Sequence, residues 1–329
     1  MFLVKMIKKP KVSIIVPAYN SADTIERCLL SLVYQTYENK EIIVVDDCST
    51  DNTPAILQKM AEKYGIKVIR LPVNSGASVA RNEGIKHATG YIIFVAEADA
   101  YYANDYVELC VKHLVNPKVG TVIGALHAWP ENSIWYKWFE AKRRIMLHNY
   151  KPLGGWFFRK RDLEKIGYYM RNLKVGEDRE LSLRVKRKLG LEWAYEPKAL
   201  WYHKYPYSFK AILHKAFRNG FNVIKFNKIL GIHRKMFLRS VAYITLIASF
   251  AASITLAITH KNITYILYPF LLILSALIYP AYQLAIRGIS IKEFKEYVLL
   301  FPLVQGLEML FFSIGYVLGT ISQQLLNHD

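Results

Sequence analysis

From Val241 to Thr259, and again from Ile263 to Ile286, no side chain carries a charge, and from Tyr297 to Gln324 only Glu308 does. An α-helix needs about 20 apolar residues to cross a hydrocarbon layer ~30 Å thick, and each run is long enough. Buried helices of a large soluble core are the competing reading, but three such runs in succession favour membrane spans. The chain is therefore expected to end in a bundle of three transmembrane helices, at about 239–259, 263–286 and 297–324, within a domain covering 236–329.

The beginning of the chain holds no long apolar run, so no cleaved signal peptide is expected and the N-terminal part stays where it is made. Arg234, Lys235 and Arg239 precede the first span. Lys261 alone lies between the first and second, and Arg287, Lys292 and Lys295 lie between the second and third. The positive-inside rule then predicts a multi-pass protein of the cell membrane with a cytosolic N-terminal domain and an outward-facing C-terminus. A net charge of +18 fits either nucleic acid or anionic phosphates and headgroups. No nucleic-acid module is recognisable, so phosphorylated substrates and the membrane are the expected partners. Cys28, Cys48 and Cys110 lack metal-ligand spacing and receive no role.

Ahead of the spans, short apolar runs alternate with helix-like patterns. Val12–Val16, Ile42–Val45, Lys67–Leu71, Tyr91–Ala96 and Gly120–Ala125 read as strands. Asp23–Gln35, Pro54–Tyr64, Asn74–His87 and Asn104–Leu114 read as helices. Continuous apolar strands between amphipathic helices predict a parallel sheet covered on both faces, an α/β nucleotide-binding domain over 1–205. Ligands of such sheets lie beyond the carboxyl ends of the strands, where Tyr19-Asn20, Asp46-Asp47 and Glu97-Ala98-Asp99 fall. In the stretch 206–235, Phe209, Ile212, Leu213, Ala216, Phe217, Phe221 and Ile224 recur at helical spacing among lysines and arginines, as in a helix lying in the membrane interface. Ile134–Met146 has the same character, and packing against the sheet explains it equally well.

Five motifs carry chemistry. VSIIVPAYN, Val12–Asn20, ends a strand in a proline turn. EIIVVDDCSTDNT, Glu41–Thr53, places Asp46 and Asp47 after a strand, where a carboxylate can accept hydrogen bonds from a base or ribose, while Asp51 is better placed to cap the next helix. In NSGASVARNEGIKHATG, Asn74–Gly90, Arg81 can neutralise phosphate and Gly76 permits close backbone approach. Glu97 and Asp99, one residue apart at a strand end, can hold a divalent cation on a diphosphate. Gly176-Glu177-Asp178 follows GGWFFRKRDLEKIG, Gly154–Gly167. Asp178 reads either as a functional carboxylate or as the cap of a helix over Arg179–Lys188.

In order and spacing, from about Lys11 to Gly220, these motifs resemble the family 2 glycosyltransferases of GT-A fold, a Rossmann-like nucleotide-binding fold. Within that family the likeness is to the membrane-anchored polyprenyl-phosphate and dolichyl-phosphate mannosyltransferases and the synthases of the cellulose-synthase kind. The resemblance implies that Pro17 and Tyr19 line the base and ribose, and that Asp47, with Asp46 close by, binds the nucleoside. Glu97 and Asp99 would take Mn(II) or Mg(II), with Glu standing where the family carries the first Asp of Asp-x-Asp. Gly154 and Gly155 would shape the acceptor pocket, with Glu177 beside it, and Asp178 would act as base or position the acceptor. His214–Gly220 occupies the place of the Gln-x-x-Arg-Trp motif, but Gln and Trp are missing; this argues against a processive polymerase, while Lys215 and Arg218 remain candidates for phosphate contacts. His203 is a further candidate phosphate contact, although a lone histidine more often has a structural role.

The implied function is inverting, metal-dependent transfer of a sugar to a membrane lipid. By resemblance, GDP-mannose is the donor and a polyprenyl or dolichyl phosphate the acceptor. The alternatives are a UDP-sugar donor acting on a lipid-linked oligosaccharide, and a non-catalytic nucleotide-sugar-binding membrane protein.

Overall fold

The computed structural model describes residues 9–130, 133–136, 138–140, 156–205, 208–261 and 300–325. The chain divides into two compact units, one of residues 1–130 and 150–205, the other of 131–149 and 206–329.

The first unit is built on an eight-stranded sheet. In chain order the strands are β1 (Val12–Ala18), β2 (Lys40–Asp46), β3 (Lys67–Arg70), β4 (Ile92–Val95), β5 (Ala100–Tyr102), β6 (Val119–Ala128), β7 (Phe157–Arg159) and β8 (Glu192–His203). Spatially they run β3-β2-β1-β4-β7-β6-β8-β5. The helices of this unit are α1 (Ile25–Val33), α2 (Thr53–Tyr64), α3 (Ala77–His87), α4 (Tyr106–His113), α5 (Lys160–Ile166) and α6 (Glu177–Leu189). Strands β1 to β4 pair in parallel; β1 and β4 are buried almost throughout, while β3 at the edge exposes Lys67 and Arg70. Val12, Ile14, Ile15 and Val16 of β1 are all fully buried, and α1 turns Ile25, Cys28, Leu29 and Leu32 into the same core.

The remaining half of the sheet departs from the parallel arrangement expected from sequence. Strand β7 runs antiparallel to both β4 and β6, and β5 runs antiparallel to β8. An apolar run specifies a buried strand but carries no information on its direction; here side-chain packing accompanies the reversal, with Phe157 of β7 stacked on Phe94 of β4 at 4.2 Å. Two helices also begin elsewhere than expected. Helix α3 starts at Ala77, because Gly76 takes φ +90 and Asp47 holds the preceding backbone. Helix α6 starts at Glu177 with Gly176 as its N-cap, so Asp178 lies inside the first turn and is not a cap.

The second unit contains α7 (Phe209–Asn222), α8 (Ile224–Ile229), α9 (His233–Thr259) and α10 (Leu300–Leu325). Ile212, Ala216 and Gly220 of α7 are buried. Side chains at Gly220 or Gly315 would collide with the backbone of Phe312 or Phe217 respectively, so α7 and α10 approach backbone to backbone. Tyr316, fully buried, accepts from the Asn227 amide at 3.3 Å and shares a 2.8 Å hydrogen bond with His233 Nδ1. Among the described residues one helix is long and apolar enough to cross a membrane, over His233–Leu256. The expected span at 263–286 lies outside the described residues, and that at 297–324 falls on α10.

Candidate active site

A cavity of about 480 Å³ opens beyond the carboxyl ends of β1, β2 and β4. Pro17, Tyr19, Asp47, Arg81, Glu97, Asp99, His203 and Lys204 contribute to its walls.

One wall carries Glu97, Asp99 and His203. The antiparallel register sets Ala100 opposite His203, and the Asp99 carbonyl accepts the Lys204 N–H at 2.8 Å. The loop after β4 is thereby pinned to the end of β8. His203 Nε2 lies 3.2 Å from Glu97 Oε2 and 3.4 Å from Asp99 Oδ2. One ligand atom from each of the three residues falls within 4.8 Å of the other two. Burial opposes a charged imidazolium, yet Glu97 and Asp99 more than offset it and raise His203 to about 9. A proton thus holds two carboxylates together where a divalent cation would satisfy all three donors. Two carboxylate oxygens and one imidazole nitrogen fit Mn(II) well, and they fit Mg(II), which favours all-oxygen shells, less well.

At the opposite end the backbone is fixed by carboxylates. Asp47 accepts the N–H groups of Ser75 and Gly76 at 2.7 and 2.8 Å, while its own N–H donates to the Ala18 carbonyl at 2.8 Å. Asp51 accepts from Thr53 N at 2.9 Å and Ala22 N at 3.1 Å, so it serves the start of α2 and ties it to the loop after β1. Asp46 turns away from the cavity lining, accepting the Ser49 N–H and pairing with Arg70 at 3.0 Å. Tyr19 is half exposed at the cavity mouth.

Arg81 forms the floor. Its side chain is 7% exposed, its Nη1 lies 2.7 Å from Glu177 and 3.7 Å from Asp178, and its guanidinium stands 5.2 Å from the Tyr169 ring. Burial disfavours the guanidinium charge, and Asp178, Tyr169 and Glu177 hold it on. Burial likewise pushes Asp178 up, Arg81 pulls it back, and the charges of Glu177 and Glu97 push it up again, leaving it at about 7. The sequence motif points Arg81 at the donor phosphates; in the fold it lines the cavity and is also paired with the acidic start of α6.

Thus Pro17, Tyr19, Asp47, Arg81, Glu97 and Asp99 share one cavity, with Glu177 and Asp178 attached through Arg81 and Gly76 bonded to Asp47. Gly154 and Gly155 lie outside the described residues, and Lys215 and Arg218 sit on α7 of the second unit. Sequence reasoning misses Lys204 and Tyr169, and it leaves His203 as a lone histidine because the β5–β8 pairing that brings it to Glu97 joins distant parts of the chain.

The model of glycosyl transferase family 2 matches residues 13–172. Over 100 residues the chain is 44% identical to the uncharacterized glycosyltransferase YibD of Escherichia coli (strain K12), covering 30% of this chain and 29% of that protein. Over 202 residues it is 29% identical to the poly-beta-1,6-N-acetyl-D-glucosamine synthase of Staphylococcus epidermidis, covering 57% of this chain and 48% of that enzyme. The matches thus span less than half the length of either relative. In fold, the chain resembles the mannosyltransferase PcManGT of Pyrobaculum calidifontis, solved with GDP-Man and Mn2+, with TM-score 0.63 and 19% identity over 94% of this chain and 88% of that one. The shared architecture is the mixed α/β, Rossmann-like GT-A fold.

Proposed function

We propose that this chain, whose residues 13–172 match glycosyl transferase family 2, transfers a hexose from a nucleotide sugar to a membrane lipid phosphate, with inversion. The observation that carries the reading is the meeting of Glu97, Asp99 and His203 in one cavity with Asp47 and Arg81, the last paired to Asp178. Glu97, Asp99 and His203 would hold a divalent cation, which would supply charge neutralisation for the departing nucleoside diphosphate. Lys204, beside His203, adds a second positive contact for the phosphates. Asp47 fixes the Ser75–Gly76 backbone against the nucleoside.

Asp178 takes the acceptor end. A base works best when its pKa lies near the operating pH, and burial together with Glu177 and Glu97 brings this carboxyl to about 7. Against a hydroxyl it removes the proton as the glycosidic bond forms. A lipid phosphate is already anionic and needs only to be positioned.

GDP-mannose is proposed as donor and a polyprenyl or dolichyl phosphate as acceptor, by resemblance to the dolichyl-phosphate mannosyltransferases. The first unit is assigned to the cytosol and the uncharged part of α9 to the membrane, a reading supported by Arg234, Lys235 and Arg239 in the first turns of α9. A second reading, N-acetylglucosamine transfer from a UDP-sugar onto a lipid-linked glycan, is favoured by the 202-residue likeness to the staphylococcal synthase. Labelled GDP-mannose and UDP-N-acetylglucosamine, each incubated with purified protein, Mn2+ and dolichyl phosphate, decide between them. Mass spectrometry of a lipid carrying one mannose supports the first reading. With a lipid-linked oligosaccharide added as a second acceptor, N-acetylglucosamine extension of that glycan supports the second, and no product from either donor on either acceptor refutes both.

A further inference from the structure

Between Glu196 and Glu293 the chain contains no acidic residue. Within that stretch Lys210, Arg218, Lys225, Lys228, Arg234, Lys235 and Arg239 are all exposed. Their exposure is a result of packing. Ile212, Ala216 and Gly220 of α7, and Ile224 and Phe226 of α8, are buried. The close α7–α10 approach at Gly220 and Gly315 leaves the long cationic side chains only the outer faces. Among the described residues none of the seven forms an ion pair, and the carboxylates of the second unit are Glu140 and Glu308. Like charges gathered this densely repel one another, so the arrangement needs an anionic partner.

The apolar stretch of helix that these cations precede identifies the partner. Immediately after Arg239, α9 presents Val241, Leu246, Ile254, Leu256 and Ile258 to the outside, with Ile258 72% exposed. The uncharged part of α9, Val241–Thr259, is 19 residues, about 28 Å at 1.5 Å per residue, which matches a hydrocarbon layer ~30 Å thick. A dense band of cations at the entry to such a helix stands at headgroup depth. We infer that α7, α8 and the first turns of α9 form a binding surface selective for anionic phospholipid headgroups, engaging their phosphates through Lys225, Lys228, Arg234 and Lys235 as its centre. The charges are spread along three helices and are interleaved with exposed apolar side chains, among them Phe221, Ile229 and Leu238. That layout suits a plane of mobile headgroups better than a nucleic-acid groove, which would be read by a compact module.

The inference stands independently of the sugar-transfer reading, and its test needs no donor or acceptor. Full-length protein in detergent is equilibrated with equimolar phosphatidylglycerol and phosphatidylcholine, repurified, and its bound lipids counted by mass spectrometry. Phosphatidylglycerol is expected to be enriched at low salt and to lose that enrichment at 0.5 M NaCl. The quadruple variant K225Q/K228Q/R234Q/K235Q should reduce enrichment by at least tenfold, since each cation at an anionic surface contributes about fivefold. A control with four exposed lysines of the first unit neutralised, K59Q/K118Q/K165Q/K188Q, should keep it. Equal enrichment in the quadruple variant, or an equal loss in the control, overturns the inference. So does displacement of phosphatidylglycerol by an equivalent of single-stranded RNA, which would assign the surface to nucleic acid. Each variant is first shown to elute and melt as wild type does.

Discussion

Replacing Arg81 by Met should move the pH dependence of transfer and not merely lower its rate. The guanidinium lies 3.7 Å from Asp178 and 2.7 Å from Glu177. Two unit charges 3.7 Å apart attract by about 4 kcal/mol at an effective dielectric of 20. That would raise the pH at which Asp178 ionises by about three units if fully felt. Asp178 retains 22% exposure of its side chain, and solvent screening reduces the expected movement to about one to two pH units. Toward a hydroxyl acceptor the ionised carboxylate is the active form, so that activity should rise with pH as Asp178 deprotonates. In wild type the acid limb lies at or below about 7, because a cation at Glu97 favours the charged form. In Arg81→Met it should lie one to two units higher, with activity largely recovered at pH 9. Arg81→Lys, which keeps the charge but not the fork, should move the limb less. The assay is kcat/KM for transfer of labelled sugar to a hydroxyl acceptor across pH 5–9, with thermal melts to verify folding. An unmoved limb with a uniform loss of rate would refute the electrostatic role and leave Arg81 a packing residue.

Other consequences are as direct. Asp178→Asn should cut transfer to a hydroxyl acceptor by about 100- to 10,000-fold, but transfer to a phosphate acceptor by much less; the two acceptors are compared in single-turnover assays. The same substitution should raise the melting temperature at pH 8. Burial lifts Asp178 above its unfolded value, so its folded-state stability is complete below about pH 4 and is lost as pH rises through about 7. The gain over wild type should therefore shrink toward pH 4. His203→Ala should weaken Mn2+ binding, read by EPR titration, at least tenfold by removing one of three donors. Gly220→Val should lower the melting temperature markedly, because its side chain would meet the Phe312 backbone.

The legible parts of this fold are those with a one-dimensional signature. Ile42–Val45 is apolar without interruption and Val12–Val16 is broken only by Ser13, a pattern that suits a strand buried on both faces, so β1, β2 and the acidic residues that follow them can be placed from sequence. The reversed strand β7 and the edge pairing of β5 with β8 have no such signature, because direction and partner are decided by long-range packing such as Phe157 on Phe94. For that reason the candidate site is half visible. Glu97 and Asp99 stand one residue apart, whereas His203 reaches them only through the Ala100–His203 register. The role of Arg81 is hidden for a similar cause: a phosphate and the carboxylates of α6 are equally good partners for a guanidinium, and the tertiary fold decides between them.

The measurement that tests the central claim most directly is cation-dependent cleavage of the sugar–nucleotide bond. Purified full-length protein, wild type and Asp99→Ala, is given labelled GDP-mannose or UDP-N-acetylglucosamine with dolichyl phosphate, in Mn2+ and then in excess EDTA. The account predicts turnover of one donor by wild type in Mn2+, its abolition by EDTA, and little turnover by the Asp99 variant. Turnover that survives EDTA and the substitution alike, or a folded wild-type protein that binds both nucleotides and cleaves neither, would contradict it.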